Sequence, residues 1–255
     1  MPTIVIANQK GGVGKTTTAI SLATGLAELG YQTLLVDGDP QGNVAAFLGR
    51  EPAPGLYELL VEQRPLEKAA QRLAGSGYPG LSLVAGDSTT VDLETLLRTS
   101  PLLQPATALR TALQPFLATP KTVVILDTAP GLSSVQLAAL YAADWLIIPT
   151  CPEVASEVGL SALIATIDEL KNDGANLDLL GILPVLVDAR SREHRQTILE
   201  LQAAFPGLVL PPVRRLIALA EAPRSGRPIW RYAPNSEAAL DYAAVLKEVM
   251  QRVGI

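Results

Sequence analysis

Residues 10–17 constrain the fold more than any other segment. Their sequence, Lys-Gly-Gly-Val-Gly-Lys-Thr-Thr, stands between a predicted buried strand and a predicted helix. The β-branched run Thr3–Ala7 predicts the strand, and helical spacing of apolar residues over Thr16–Leu29 predicts the helix, which ends at Gly30. Glycines let the backbone curl so that its N–H groups point at phosphate oxygens, and the helix adds its N-terminal dipole. The segment therefore predicts a phosphate-binding loop within a parallel, right-handed βαβ unit.

The side chains of this loop suit nucleotide phosphates. Lys15 can reach the β- and γ-phosphates, and the Thr16 hydroxyl can ligate Mg²⁺. The loop departs from the common G-x-x-x-x-G-K-[ST] pattern, because Gln9 stands where the first glycine is expected and a second lysine, Lys10, follows it. We expect the nucleotide to be held by Lys10, Gly11, Gly12, Val13, Gly14, Lys15, Thr16 and Thr17.

The rest of the chain alternates short apolar runs with stretches of helical periodicity. Strands are predicted at Thr33–Asp37, Leu81–Ala85, Thr122–Asp127, Trp145–Pro149, Leu179–Val187 and Leu208–Leu210. Helices are predicted at Leu93–Arg98, Ala106–Leu117, Val135–Ala142, Val154–Asn172, Arg192–Ala204 and Ser236–Val253. This alternation favours an α/β fold with a doubly wound, mostly parallel sheet and helices on both faces. No repeat or clear linker interrupts it, so we expect one domain over residues 1–255.

Three aspartates follow predicted strands. Asp37 ends one strand, Asp39 stands two residues later, and Asp127 ends another. Residues two apart in extended chain point the same way, and the carboxyl ends of parallel strands share one edge of a sheet. We expect the three carboxylates to lie beside the phosphate loop, where Mg²⁺ would neutralise their mutual repulsion.

Composition narrows the chemistry further. The chain has a single cysteine, Cys151, and a single histidine, His194. They exclude a disulfide framework, thiolate zinc or iron–sulfur sites and multi-histidine metal sites within one chain, and they disfavour a His-based triad. No apolar run approaches the roughly 18–20 residues of a membrane span. We expect Cys151 to be a small buried hydrophobe and His194 to lie on a solvated helix surface.

The K-G-G-x-G-K-T-T loop resembles the deviant Walker A loop of the ParA/MinD ATPases. The V-D-x-D-P-Q-G-N string that contains Asp37 and Asp39 is similar to switch I of ParA proteins. The segment from Ala220 to Ile229 is similar to the family's E-A-P-x-x-G-x-P-I string. On these motifs, and on a resemblance over nearly the whole chain, the protein is identified as a member of this family.

Residue roles follow from the resemblance. The cofactors it implies are ATP and Mg²⁺. The extra Lys10 would reach across an ATP-bound homodimer to the partner's phosphates, and Gly12 would give clearance for that approach. Asp39 would orient the attacking water, while Asp37 and the Walker B residue Asp127 would support the Mg²⁺ shell. The implied catalytic residues are Lys10, Lys15 and Asp39, and the implied metal residues are Thr16, Asp37 and Asp127.

The branch of the family is indicated by features of the other branches that this sequence does not show. The C-terminal helix has mixed charge rather than the basic face of MinD-type membrane helices, and the cluster cysteines of nitrogenase-type iron proteins are missing. Bacterial tyrosine kinases of this family carry a C-terminal tyrosine cluster, which this sequence does not have. The first strand begins at Thr3, so we expect the small ParA/Soj form without an N-terminal DNA-reading domain.

For this branch the resemblance implies an ATP-dependent partition ATPase. Its ATP-sandwich dimer would bind DNA nonspecifically, a ParB-like or other cargo adaptor would stimulate hydrolysis, and the protein would be cytoplasmic and nucleoid-associated. The alternative is an ATP-gated scaffold that positions a non-DNA cargo, such as a protein organelle or chemoreceptor cluster. A metabolic amide-forming enzyme on the same nucleotide core is a third option.

The charge distribution bears on the DNA question. The net charge is −5, but Arg190–Arg231 holds eight arginines and three glutamates, a local balance of +5 against −10 elsewhere. Such asymmetry favours an anionic partner. The alternative is that the arginines are solvated or pair with Glu193, Glu200 and Glu221. The candidate DNA-binding residues are Arg192, Arg195, Arg214, Arg215, Arg224 and Arg227, with Arg224 and Arg227 expected in a loop.

Four other residues carry structural predictions. We expect Trp145 and Trp230 to serve core or edge packing. Asp92 and Glu94 are predicted to lie on the solvated face of a helix.

Overall fold

A computed structural model describes residues 1–51, 53, 55–73, 77–100, 103–153 and 157–255, with the backbone only at 157–159 and 161–163. The first three residues of the helix predicted at Val154–Asn172 lie outside the described residues. The strands are β1 (Thr3–Ile6), β2 (Gln32–Gly38), β3 (Gln71–Arg72), β4 (Leu81–Val84), β5 (Thr122–Thr128), β6 (Trp145–Thr150) and β7 (Asp178–Pro184).

The helices follow the predicted alternation, with shorter helices added in the loops. The long ones are α1 (Lys15–Glu28), α5 (Thr90–Thr99), α6 (Ala108–Leu117), α7 (Ser134–Ala142), α8 (Glu157–Asn172), α9 (Arg192–Ala204) and α12 (Glu237–Val253). The short ones are α2 (Asn43–Phe47), α3 (Leu56–Leu60), α4 (Leu66–Ala69), α10 (Ile217–Arg224) and α11 (Ile229–Tyr232).

The described strands form one seven-stranded sheet in the order β3-β4-β2-β5-β1-β6-β7. Every pairing is parallel except that of the two-residue edge strand β3 with β4. The connection through α1 leads from β1 to one side of the sheet, whereas the connection through α7 leads from β5 to the other. The predicted doubly wound, mostly parallel sheet is therefore confirmed, and its switch point lies beside β1, where such folds bind ligands.

Alternating residues of the central strands feed two cores on opposite faces. In β1, Ile4 and Ile6 belong to the core that packs against α1 and α12, while Val5 belongs to the core beneath α5, α6 and α7. All three side chains are fully buried. Because both faces are covered, the strands read as continuous apolar runs, which is typical of parallel sheets.

The strand predicted at Leu208–Leu210 is wrong as a regular element. Within this segment, Val209 alone forms a bridge, with Ile182. Another isolated bridge, farther along the chain, joins Arg214 to Val187. β7 ends at Pro184, three residues earlier than predicted, because Leu186 has a left-handed φ of +56° that an extended strand does not contain. The segment beyond β7 still runs parallel to its partner, which brings residues 213–215 to the carboxyl edge of the sheet.

Glu94 is partly exposed and makes a contact that the prediction of a solvated helix face did not include. Its two carboxyl oxygens accept the backbone N–H groups of Ser134 at 2.6 Å and Val135 at 3.0 Å, at the start of α7. Burial raises the pKa of Glu94, but these hydrogen bonds outweigh it and hold the pKa below its usual value. The carboxylate therefore caps a helix that follows the loop after β5.

We expect Glu94→Ala to lower the free energy of unfolding by about 1–2 kcal/mol, the usual loss for a helix cap. Chemical denaturation at neutral pH measures the change. Arg98→Ala, an exposed position on the same helix, is the matched control and should stay within about 0.5 kcal/mol of wild type. Equal losses in the two variants would contradict the capping role.

Candidate functional site

The phosphate loop and the predicted carboxylates meet at one edge of the sheet. The register pairs Asp37 of β2 with Asp127 of β5, and Asp127 with Ile6 of β1. The phosphate loop begins just after Ile6 and leads into α1. Three neighbouring strands therefore present their chemistry side by side, as the sequence predicted.

The phosphate loop has positive φ angles at two glycines, and glycine is the residue that adopts them without strain. Gly12 has φ +74° and Gly14 has φ +72°, a region that side chains rarely adopt. Gly14 is the N-cap of α1 and its carbonyl accepts the Thr18 N–H at 2.9 Å. The loop thus curls directly into the helix N-terminus, the geometry of a phosphate site.

Asn8 holds the base of the loop, and the sequence analysis missed it. Its Nδ2 donates to the Pro149 carbonyl at 2.7 Å, and its Oδ1 accepts the Lys10 N–H at 3.0 Å. The side chain thereby ties the loop to the end of β6. A polar amide directly after a buried strand is the signal that could have found it.

Lys15 is buried at the centre of the loop, with a relative exposure of 6%, and its Nζ donates to the Lys10 carbonyl at 2.9 Å. Burial lowers its pKa, while the negative charges of Asp127 and Asp39 oppose that shift. Lys10 is exposed, and among the described residues its ammonium has no hydrogen-bond or ion-pair partner. One lysine is thus built into the loop and the other is available to a second molecule.

Asp37 and Asp127 are both buried and close enough to disturb each other's titration. Burial, partly offset by N–H groups from Asp39 and Val44, raises the pKa of Asp37 to about 6. Burial and the charge of Asp37 raise the pKa of Asp127 well above its usual range, with the Thr16 hydroxyl and Lys15 opposing. Such a pair is stable as two carboxylates only beside added positive charge.

Oxygen donors at this edge fit Mg²⁺. Both Asp127 oxygens are buried without a well-formed hydrogen bond among the described residues, and the Thr16 hydroxyl is close to them. The described residues hold no group of three or more His, Cys, Asp or Glu side chains arranged to bind a metal by themselves. Proteins bind Mg²⁺ through one or two carboxylates together with water and substrate phosphates, and the Asp127 carboxylate and Thr16 hydroxyl are donors of that kind.

Removing one of these charges gives a pH-dependent prediction for the metal-free protein. The pair holds protons more tightly when folded than when unfolded, so it destabilises the fold above about pH 6, and this penalty fades as pH falls toward about 4. We expect Asp127→Asn in chelator to be more stable than wild type by about 1–3 kcal/mol at pH 7.5, a gain that shrinks by pH 5.

Denaturant unfolding across pH measures this difference. Asp92→Asn, at an exposed position, is the control and should follow the wild-type curve. A loss of stability in Asp127→Asn at pH 7.5 would show that the charge of Asp127 does not destabilise the metal-free fold.

Asp39 lies in the cleft with part of its carboxylate free. Oδ1 accepts the Gln41 N–H at 2.9 Å, which leaves Oδ2 for a ligand. Gly86, a residue that the sequence analysis did not single out, supports this segment. A Cβ at Gly86 would lie 2.6 Å from the Asp39 carbonyl oxygen and 2.7 Å from that of Asp37. Only glycine lets the loop after β4 approach so closely.

A cleft of about 480 Å³ runs from the loop toward α10. One end is polar and is lined by Gly11, Gly12, Gly14, Lys15, Thr16, Thr17, Asp39 and Thr128. The remaining lining is mostly apolar and includes Val185, Leu186, Val213, Leu216 and Leu219, together with Arg215. A polar end for phosphates and an apolar end for a base match the two halves of a nucleotide.

The six candidate DNA-binding arginines differ in whether their side chains are free or paired with carboxylates. Arg192, Arg224 and Arg227 are exposed, and among the described residues their side chains have no ion-pair partner. Arg195 donates to the Ala189 carbonyl. Arg214 is paired with Asp241 at 2.8 Å and Glu237 at 3.0 Å, and Arg215 with Glu153 at 2.7 Å. These three carboxylates are not the ones that the sequence analysis named.

Arg224 corrects another prediction, because it is the last residue of helix α10 rather than part of a loop. The loop begins after it and contains Arg227. His194 is also not a surface residue: its relative exposure is 5%, although it belongs to α9 as predicted. Cys151 is buried as predicted. Trp145 and Trp230 pack against the core as predicted.

Comparison with known sequences identifies close relatives. The AAA domain family matches residues 1–180. The chromosome-partitioning ATPase Soj of Thermus thermophilus is 40% identical over 255 residues, covering 98% of this chain and 96% of that protein. The chromosome partitioning protein ParA of Myxococcus xanthus is 38% identical over 255 residues, covering 98% and 88%.

Solved structures of similar proteins have the same fold, and two of them contain a bound nucleotide. A Cyanothece McdA variant in complex with ATP has a TM-score of 0.83 and 27% identity, covering 100% of this chain and 97% of that one. Cobyrinic acid a,c-diamide synthase of Mycobacterium smegmatis, with bound ADP and magnesium, has a TM-score of 0.82 and 30% identity, covering 99% and 95%.

Proposed function

This chain belongs to the ParA and Soj family of partition ATPases, and from that membership we propose that its ATP-bound dimer binds DNA nonspecifically and releases it after partner-stimulated hydrolysis. It is an ATPase that hydrolyses ATP to ADP and phosphate with Mg²⁺. No helix in the described part of the chain is long and apolar enough to cross a membrane. The meeting of the phosphate loop with Asp37, Asp39 and Asp127 at one edge of the sheet carries the assignment of the site.

Each residue of the site has a different role in hydrolysis. Lys15 neutralises phosphate charge from inside the loop, and Thr16 and Asp127 supply oxygens for the metal. Bound Mg²⁺ neutralises charge on the phosphates and on the buried aspartates. Asp39 holds the attacking water through its free oxygen. Such catalysis works by positioning and electrostatics, with little covalent chemistry for the protein.

The exposed Lys10 supports a dimer. Its ammonium has no partner among the described residues, and it directly precedes Gly11, which lines the cleft. A cation delivered from a second subunit stabilises transition-state charge only when two loaded subunits meet. We infer that Lys10 of each subunit reaches the nucleotide of the other, which makes hydrolysis depend on dimerisation.

A packed connection links the ATP site to the DNA candidates. The Val44 N–H at the start of α2 donates to Asp37 at 3.2 Å, and α2 ends close to Gly49. A Cβ at Gly49 would lie 2.8 Å from the carbonyl oxygen of Gly226, which stands in the loop after α10. Gly226 lies between Arg224 and Arg227. The ATP site and these arginines therefore belong to one packed region joined by α2, which supports ATP-gated DNA binding.

We expect nonspecific duplex DNA binding in the presence of ATP, and a strong loss in Arg224→Ala/Arg227→Ala. Each DNA phosphate that the variant no longer neutralises should flatten the slope of log affinity against log salt by about 0.9, and a dimer carries two copies of the pair. Arginine suits this role because its planar fork matches phosphate oxygens. The measurement is DNA affinity with ATP across a salt series.

Arg98→Ala/Arg110→Ala is the matched control, since both arginines are exposed on helices that pack on the opposite face of the sheet. It removes the same charge and should keep the wild-type slope. An unchanged slope in Arg224→Ala/Arg227→Ala would place the DNA face elsewhere. If the wild-type protein with ATP has no affinity for DNA at about 0.1 M salt, the scaffold for non-DNA cargo is favoured. The Debye length at this salt is about 10 Å, so DNA phosphates in contact with the arginines would still be attracted to them.

DNA binding through Arg224 and Arg227 would leave the choice of cargo to another protein. Nonspecific DNA binding through phosphates carries no sequence information. We propose that a ParB-like or other adaptor protein supplies the specificity and stimulates hydrolysis, and that the ATP form associates with the nucleoid.

A further inference from the structure

Arg215 stands apart from the other candidate DNA-binding arginines because it lines the nucleotide cleft. Among the described lining residues it is the one charged side chain apart from Lys15 and Asp39, and its neighbours in the lining are mostly apolar. The Arg215 N–H donates to the Val187 carbonyl at 2.9 Å, which fixes the backbone beyond β7. Its position therefore points to the nucleoside rather than to DNA.

The guanidinium is anchored from outside the cleft. Its Nη2 donates to Oε1 of Glu153 at 2.7 Å. Glu153 follows β6, the strand whose end also holds the phosphate loop through Asn8. Only Nη2 is engaged among the described residues, so Nη1 and Nε keep donors for a ligand. The planar cation also has a free face of the kind that stacks on aromatic rings.

The buried His194 supports the same carboxylate. Its Nδ1 accepts the Asp188 N–H at 3.0 Å, so the proton of a neutral ring is on Nε2. Nε2 lies 3.6 Å from the Glu153 oxygen that binds Arg215. The imidazole is held by its backbone contact and by burial, and it limits where that carboxylate can move.

We propose that Arg215 contacts the base and ribose of ATP, and that Glu153 and His194 are positioning residues that hold its guanidinium over the cleft. Leu186, Leu216 and Leu219, which also line the cleft, would supply apolar contacts to the base. The proposal rests on the placement of ATP in this cleft, given above. It assigns Arg215 to the nucleotide rather than to the DNA face.

Two probes separate the halves of the site. ATP engages both ends of the cleft, whereas inorganic triphosphate has no base or ribose and engages the phosphate end alone. We expect Arg215→Ala to weaken ATP and ADP binding by about tenfold, the size of a desolvated cation–π or charged contact. Triphosphate affinity should stay within about twofold of wild type. Calorimetric titration of each probe, with Mg²⁺, measures both.

Arg231→Ala is the matched control. Arg231 is also half exposed and paired with a carboxylate, Glu28 at 3.0 Å, but it lies on α11 and does not line the cleft. It should leave both affinities unchanged. His194→Phe tests the positioning role: we expect a smaller loss of ATP affinity, of about threefold, again without loss for triphosphate. Glu153→Gln, which keeps the shape of the anchor but not its charge, should fall between.

The outcomes are distinguishable. Equal losses for ATP and triphosphate in Arg215→Ala would overturn the proposal, because they would indicate a general disturbance of the site. Wild-type ATP affinity in Arg215→Ala would also overturn it. Lys15→Ala reports on the proposed placement itself: if it leaves both ATP and triphosphate binding intact, the phosphates are not in this cleft. If His194→Phe unfolds, Glu153→Gln still decides whether the anchor matters.

Discussion

Asp39→Ala is expected to bind ATP almost as tightly as wild type and to lose hydrolysis by about a hundredfold or more, as removal of a water-orienting group does. Lys15→Ala is expected to fail earlier, with ATP affinity reduced by at least about a hundredfold. The reason is position: Lys15 is buried inside the phosphate loop, whereas Asp39 keeps a free oxygen at the cleft. Nucleotide titration and a steady-state phosphate assay separate the two effects.

Two controls keep this contrast interpretable. Asp39→Asn retains an oxygen for the Gln41 N–H, so it preserves the turn while removing the charge, and it should lose hydrolysis like Asp39→Ala. Lys15→Ala also removes the positive charge beside Asp127, so denaturant unfolding of this variant is the second control and checks that it folds before its ATP affinity is compared. Normal turnover in both Asp39 variants would refute the water-orienting role.

Gly12→Val is expected to abolish the ATP-dependent dimer and leave ATP binding largely intact. A Cβ at Gly12 meets no atom within 4 Å in the described protein, so the added side chain projects into space that a second subunit would enter. The positive φ of Gly12 adds a backbone cost of about 1–2 kcal/mol, which a folded domain tolerates. Light scattering with ATP in an Asp39→Ala background, where hydrolysis does not dissolve the dimer, measures assembly.

Gly30→Val is the control that isolates position from strain. Gly30 also has a positive φ, +87°, and open space around its missing Cβ, but it stands at the end of α1 away from the cleft. It should fold with a similar loss of stability and still dimerise. A normal dimer in Gly12→Val would refute the cross-subunit approach of Lys10, and a failed dimer in both variants would assign the effect to strain.

Residues whose function depends on local spacing were predictable from the sequence. The glycines of the phosphate loop encode a backbone curl within eight residues, and the apolar run before Asp127 encodes a buried strand that must end in a polar group. The parallel fold then follows, because a strand, helix and strand of this length have one favoured handedness. The register between Asp37 and Asp127 confirmed that the two strand ends meet.

Partners that are far apart in sequence were not predictable in the same way. Glu94 is read as a surface residue because its helix is amphipathic, yet it caps a helix that begins 40 residues later. His194 is read as solvated between two charged neighbours, but the helix turns it inward against the Asp188 backbone. Periodicity says which face of a helix is polar, whereas the packing of other elements decides which polar groups water still reaches.

The sequence by itself determined the nucleotide loop, the order of strands and helices, and the aspartates at the strand ends, because these are set by backbone preference and apolar spacing over a few residues. Only the tertiary structure decided which arginines are available. Arg214 and Arg215 are adjacent in sequence, yet one pairs with two carboxylates of α12 and the other is held at the cleft by Glu153. Charge pairing depends on distances across the folded chain, and composition records the charges without their neighbours.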